Sequence, residues 1–146
     1  MTDVSSEEIN DLAAFVGTYM TYVGIDPSNP VHVSHTIRWS FENLGRKKAF
    51  RGLRQAADDA IAGVVEFTPA ELLGFETALK AAGLESASSY LARFSKRFES
   101  LLDRARIRTE TEFYLANGVL SDRCDTLSAS DRVRLEKMVA EYRAVV

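Results

Sequence analysis

Residues 31–41 have the sequence Val-His-Val-Ser-His-Thr-Ile-Arg-Trp-Ser-Phe, and how this stretch folds decides the fold class of the chain. Apolar and polar side chains alternate along it, and many are β-branched or aromatic, which is typical of a β-strand. Val33, Ile37 and Phe41, however, also recur at the spacing of a helix face. A strand needs a partner, and an isolated pair with the short run 64–67 is marginally stable. We therefore expect a helix and an all-α fold; the alternative is a small α+β fold with residues 31–41 as a strand.

Helical periodicity dominates the rest of the chain. The clearest start signal is Thr68-Pro69-Ala70-Glu71, in which Thr68 caps a helix, Pro69 takes its first position and Glu71 completes a capping box. Ser5 and Glu8 form a similar pattern before the first helix. We expect an irregular bundle of about six helices, near residues 7–23, 31–44, 46–64, 69–82, 86–117 and 128–146. The polar stretch 106–112 is either the middle of one long helix or the junction of two.

The composition places the chain among globular proteins. It has 146 residues, of which 46% are hydrophobic and 27% charged, and it has one Cys. A single Cys excludes a disulfide scaffold, and no apolar run is long enough to span a bilayer. The acidic amino terminus lacks the basic start of a signal peptide. We expect one helical domain over residues 1–146, located in the cytoplasm, with no membrane partner. The excess of Arg over Lys and the many alanines are typical of a GC-rich bacterial genome.

Few residues are candidates for catalysis or for metal or cofactor binding. His32 and His35 are three positions apart and would share a helix face, but no third metal ligand lies at a telling spacing. Cys124 lies between Asp122 and Asp125, whose charges oppose the lowered pKa that a nucleophilic thiol needs. Neither a glycine-rich phosphate-binding motif nor a nucleophile elbow occurs. We therefore expect no catalytic residue, no metal site and no cofactor, and we predict that the protein is not an enzyme.

Positive charge is concentrated in two blocks, although the net charge is −3. Residues 46–54 carry five Lys or Arg and no acid, and residues 93–108 carry six bases and two acids. The candidate residues for contact with an anionic partner are Arg46, Lys47, Lys48, Arg51, Arg54, Arg93, Arg97, Arg104 and Arg108. The more general explanation is internal pairing with acidic helices and solvated helix faces. Arg54, for example, lies four residues before Asp58, the spacing of a surface ion pair on a helix.

Three aromatic residues are candidates for an interface with another protein: Tyr19, Tyr22 and Trp39. Tyr and Trp are enriched at the energetic centres of protein interfaces. The alternative for all three is packing in the core, since the chain has many aromatic residues for its size.

Three functional hypotheses follow. The first is a non-enzymatic, regulatory or adaptor module that binds a protein partner through helix faces and forms a homodimer. The second, less favoured, is a nucleic-acid-associated regulator that uses the two basic blocks, with the overall negative charge against it. The third is a small-ligand-binding helical protein or enzyme with a site between helices. For this third hypothesis, His32, His35 and Trp39 are the first residues to mutate.

Overall fold

The computed structural model describes residues 6–121 and 127–145, and every regular element within these ranges is an α-helix. The prediction of an all-α protein is therefore confirmed, but the described residues form eight helices and not about six. The helices are α1 (Ser6–Tyr22), α2 (Val33–Leu44), α3 (Arg46–Val65), α4 (Pro69–Ala81), α5 (Ala87–Phe94), α6 (Lys96–Arg104), α7 (Glu110–Ser121) and α8 (Ala129–Val145). None of these helices combines the length and apolar character that crossing a membrane requires. Ser5 and Cys124, to which the sequence analysis assigned a helix cap and a loop thiol, lie outside the described residues.

Residues 33–41 are helical because the helical spacing, and not the strand spacing, matches the burial of their side chains. Val33 is buried, and Ile37 and Phe41 are half-buried against the core. Trp39, which a strand would place on the same face as these three, projects away from the core and is 58% exposed. The strand alternative for residues 31–41 is therefore wrong.

The expected helix over residues 86–117 is divided into α5, α6 and α7. The first break is at Ser95, whose extended backbone ends α5 and whose side chain caps α6 by accepting a hydrogen bond from the Arg97 amide at 3.0 Å. The Ser95 hydroxyl donates to the Asp58 carboxylate on α3 at 2.8 Å, and the Lys96 amide donates to the same oxygen at 3.1 Å. Asp58 therefore fixes the start of α6, and no ion pair joins it to Arg54 within the described ranges.

The second break lies within the polar stretch 106–112. Ala105 ends α6 in the left-handed conformation, with φ of 56°. The Arg104 guanidinium donates to both carboxylate oxygens of the buried Glu112, at 2.8 and 2.7 Å. Glu112 also accepts from the Arg108 amide, and its own amide donates to the Thr109 hydroxyl at 3.0 Å. These hydrogen bonds fix the stretch as a turn between two helices. Residues 106–112 are therefore the junction of two helices and not the middle of one long helix.

Helix α3 is the central element of the fold. It packs against α1, α2, α5 and α6, and its inward residues belong to one continuous apolar core. Within that core the Phe15 ring stacks on the buried Tyr90 ring, with centroids 4.2 Å apart. Only one side of α3 is buried in this way, so the opposite side of the same helix faces solvent. That solvent-facing side carries most of the first basic block.

Candidate interaction surface at the corner of α2 and α3

A single residue, Gly45, connects α2 to α3. Its φ of 82° lies in the left-handed region that favours glycine, and it allows the chain to turn directly from Leu44 into Arg46. Leu44 continues the inward spacing of α2, yet it is 47% exposed because α2 ends there. The corner therefore presents an apolar side chain immediately beside a positively charged helix start.

The five cations of residues 46–54 are all exposed on α3. Three of them occupy the first turn, which has no acidic residue and no side-chain cap. Positive charge at a helix amino terminus is unfavourable, because the helix dipole is positive there. The side chains of Lys47, Lys48, Arg51 and Arg54 form no ion pair with any residue in 6–121 or 127–145. The described part of the chain thus leaves most of this charge available to an external group.

The second basic block is placed differently, because α5, α6 and the following turn are separate elements and not one helix. Arg93 on α5 lies 2.6 Å from Glu85 and 3.9 Å from Asp11, and its guanidinium covers the Phe94 ring at 4.8 Å. Arg104 is held by Glu112.

Arg97 on α6 and Arg108 in the turn are exposed. The four arginines of the second block therefore do not line one helix, and two of them, Arg93 and Arg104, form ion pairs within the fold.

The three candidate aromatics also have different environments. Tyr19 is half-buried, its ring lies near Phe67 and Phe75, and its hydroxyl closely approaches Gly63; burial raises its pKa above the ordinary value. Tyr22 is 36% exposed, but its hydroxyl donates to the Glu71 carbonyl at 2.7 Å. These two tyrosines join α1 to the connection between α3 and α4. Trp39 does not take part in this connection, and it is the most exposed of the three candidate aromatic residues.

Exposed apolar side chains are unevenly distributed. Among the described residues nine large apolar side chains are exposed, and five of them lie between residues 22 and 44: Tyr22, Val23, Val31, Trp39 and Leu44. All five belong to the end of α1, to α2 or to the connection between them. Sequence reasoning singled out Tyr22 and Trp39 but not Leu44 or Val31, because an aliphatic residue carries no signal of exposure where a helix begins or ends.

The two histidines are held apart. His32 is buried, and its ring nitrogen lies 3.1 Å from the Thr21 hydroxyl. His35 is exposed, and its ring nitrogen lies 2.6 Å from the Pro27 carbonyl oxygen. Both rings therefore have partners that hold the α1–α2 connection against the neighbouring helices. Over the described ranges, no three His, Cys, Asp or Glu side chains converge as a metal site would need.

Comparisons with known proteins add no assignment. No protein-family model matches the chain, and neither a curated protein nor a solved structure is detectably similar to it. We use the name α2–α3 corner for the exposed residues Trp39 and Leu44 of α2 and Lys47, Lys48 and Arg51 of α3, which lie on either side of the turn at Gly45.

Proposed function

We propose that this protein is a non-catalytic protein-binding module, of the adaptor or regulatory kind, and that it binds its partner through the α2–α3 corner. The observation that carries this proposal is the exposure of Trp39 on the outward face of α2. A large aromatic side chain gains much free energy when a partner buries it, and Trp is enriched at interface hot spots.

The scaffold behind the corner supports this role. Val33 anchors the start of α2 in the core, and Ala49 and Leu53 anchor the start of α3. Side chains that project from packed helices lose less conformational entropy on binding than side chains on mobile loops. The α2–α3 corner therefore offers Trp39 and the neighbouring cations from a preorganised surface.

Affinity capture with matched variants tests the proposal. The wild-type protein, Trp39→Ala and Leu73→Ala are immobilised, and the proteins retained from the organism's own lysate are identified. Leu73 is the control, because it is an apolar side chain on α4 that is 70% exposed. We expect a discrete protein to be retained by the wild type and by Leu73→Ala, and to be lost with Trp39→Ala.

Two other outcomes would contradict the proposal. One is a set of retained proteins that does not change with Trp39→Ala. The other is an eluate that contains nucleic acid and no protein, recovered at low salt alone, which would favour the nucleic-acid hypothesis. Sedimentation analysis of the same variants identifies the case in which the partner is a second copy of the chain, since Trp39→Ala would then lower the mass in solution.

A further inference from the structure

We infer that the partner segment held at the α2–α3 corner is an acidic stretch of protein chain that also carries apolar side chains. This inference rests on the proposed function and specifies the chemistry of the partner. It follows from the charges of α3, from their position in the helix and from the residues that border them.

The first step is the density of positive charge on α3. Five cations lie within nine residues of α3, a length of about 13 Å along the helix axis. Four of them have no ion-pair partner in the described ranges. Carboxylates brought to this surface would form charge-assisted hydrogen bonds with Lys and Arg without displacing any existing pair. An acidic segment is thus electrostatically complementary to the corner.

The second step is that the stability of the fold does not explain the arrangement. The cations in the first turn oppose the helix dipole. Lys47 and Arg51 lie four residues apart on the same face, so that like charges repel each other. Natural proteins retain such unfavourable features mostly where function requires them. Binding an anionic group would offset both the adverse dipole and the mutual repulsion.

The third step concerns the acidic residues farther along α3, which favour a peptide partner over a nucleic acid. Asp59 is exposed on α3 and Glu66 is exposed at the carboxyl-terminal cap of α3. Both lie on the helix face of Lys48, because 11 and 18 residues are whole numbers of turns to within 20°. A nucleic-acid backbone that followed this helix face, with about one charge per 1.7 Å of duplex, would bring its phosphates against these acids. A short acidic segment can end before them. The exposed Leu44 and Trp39 add an apolar contact that carboxylates alone would not use.

Fluorescence anisotropy with defined probes tests this inference on the full chain. The probes are a labelled peptide of alternating Glu and Leu pairs, an all-Glu peptide of the same length and a single-stranded DNA oligonucleotide of the same length. About eight residues suffice, since an extended peptide of that length spans the corner. We expect the Glu/Leu peptide to bind most tightly, and its affinity to fall as salt is raised.

Charge-reversal variants locate the binding. Lys47→Glu/Lys48→Glu should raise the Kd of the Glu/Leu peptide at least tenfold. The matched control, Lys80→Glu/Lys137→Glu, makes the same charge change at exposed lysines on α4 and α8 and should leave the Kd within twofold. Tighter binding of the DNA than of either peptide would overturn the inference, as would an unchanged Kd in the Lys47→Glu/Lys48→Glu variant. Circular dichroism verifies that each variant is folded.

The two proposals fail in different ways. If capture of a partner protein depends on Trp39 but the Kd of the peptide does not change when Lys47 and Lys48 are replaced, the proposed function stands and the inference of an acidic partner is wrong. If peptide binding depends on these lysines while capture ignores Trp39, the corner binds acidic chains but the proposed docking through α2 is wrong.

Discussion

The replacement of Lys47 and Lys48 by Glu should make the protein more stable, although we expect it to weaken peptide binding. Both lysines are exposed in the first turn of α3, where no side chain caps the helix. An acid near a helix amino terminus is favourable by about 0.3–1 kcal/mol, and the change also turns the repulsive Lys47–Arg51 spacing into an attractive one of about 0.2–0.5 kcal/mol. Because solvent screens exposed charges, we take the lower end and expect a total gain of about 1 kcal/mol.

That gain corresponds to a rise in Tm of about 3 °C for a chain of this size. Thermal unfolding followed by circular dichroism at low ionic strength measures it. The control is Lys80→Glu, which places an acid in the last turn of α4 and should lower the Tm. In about 1 M salt, where the Debye length is roughly 3 Å, both shifts should shrink. A Tm that falls or stays constant in Lys47→Glu/Lys48→Glu at low salt would refute the electrostatic reasoning.

Three further predictions concern the fold. Glu112→Gln should lower the free energy of unfolding in urea by about 2–3 kcal/mol, because Arg104 loses its charged, doubly hydrogen-bonded partner. Gly118→Ala should destabilise by about 1–3 kcal/mol, since the new methyl group would lie 2.8 Å from the Cβ of Ser88 on α5. Gly52→Ala, in open space, should stabilise by about 0.5–1 kcal/mol, and a Gly118→Ala variant at least as stable as Gly52→Ala would contradict this reasoning. Burial and a hydrogen bond to a carboxylate raise the pKa of Tyr90 above its ordinary 10.0, so the unfolded state loses the phenolic proton first and stability should fall as pH rises above 10. Tyr90→Phe should reduce that fall in pH-dependent urea titrations.

Local signals in the sequence predicted helix boundaries correctly where they agreed with the tertiary packing. The Thr68 capping box is present as expected, with Glu71 reaching back to the Thr68 amide at 3.0 Å. Residues 31–41 are ambiguous by pattern alone. The exposure of Trp39, where a strand would bury it beside Val33, resolves the ambiguity, and this pattern of burial depends on how α1 and α3 pack against α2.

The break at Ser95 could not be predicted from its neighbours in sequence. It depends on hydrogen bonds to Asp58, which lies 37 residues earlier and comes close only when α3 and α6 pack together. The turn over residues 106–112 did carry a local signal, the pair Thr109 and Glu112 at capping-box spacing. Apolar periodicity, which continues on either side of the turn, does not by itself distinguish one long helix from two.

The sequence identified candidate residues for the surface, but it did not show which of them are exposed and free of ion pairs within the fold. Charge density identified the first basic block, and aromatic type identified Trp39. The sequence could not separate Arg51, which is available on α3, from Arg93, which Glu85 and Asp11 hold. That difference arises from the contacts of Arg93 with Glu85, in the connection before α5, and with Asp11 on α1, and no spacing rule along the chain encodes it.

Acrylamide quenching of tryptophan fluorescence tests the central claim most directly, because Trp39 is the only tryptophan in the chain and lies in the α2–α3 corner. The free protein should be quenched efficiently. Saturation with the Glu/Leu peptide should shift the emission to shorter wavelength and reduce quenching at least twofold, and the Lys80→Glu/Lys137→Glu variant should behave in the same way. Bound peptide with unchanged emission and quenching of Trp39 would contradict the claim that the α2–α3 corner is the binding surface.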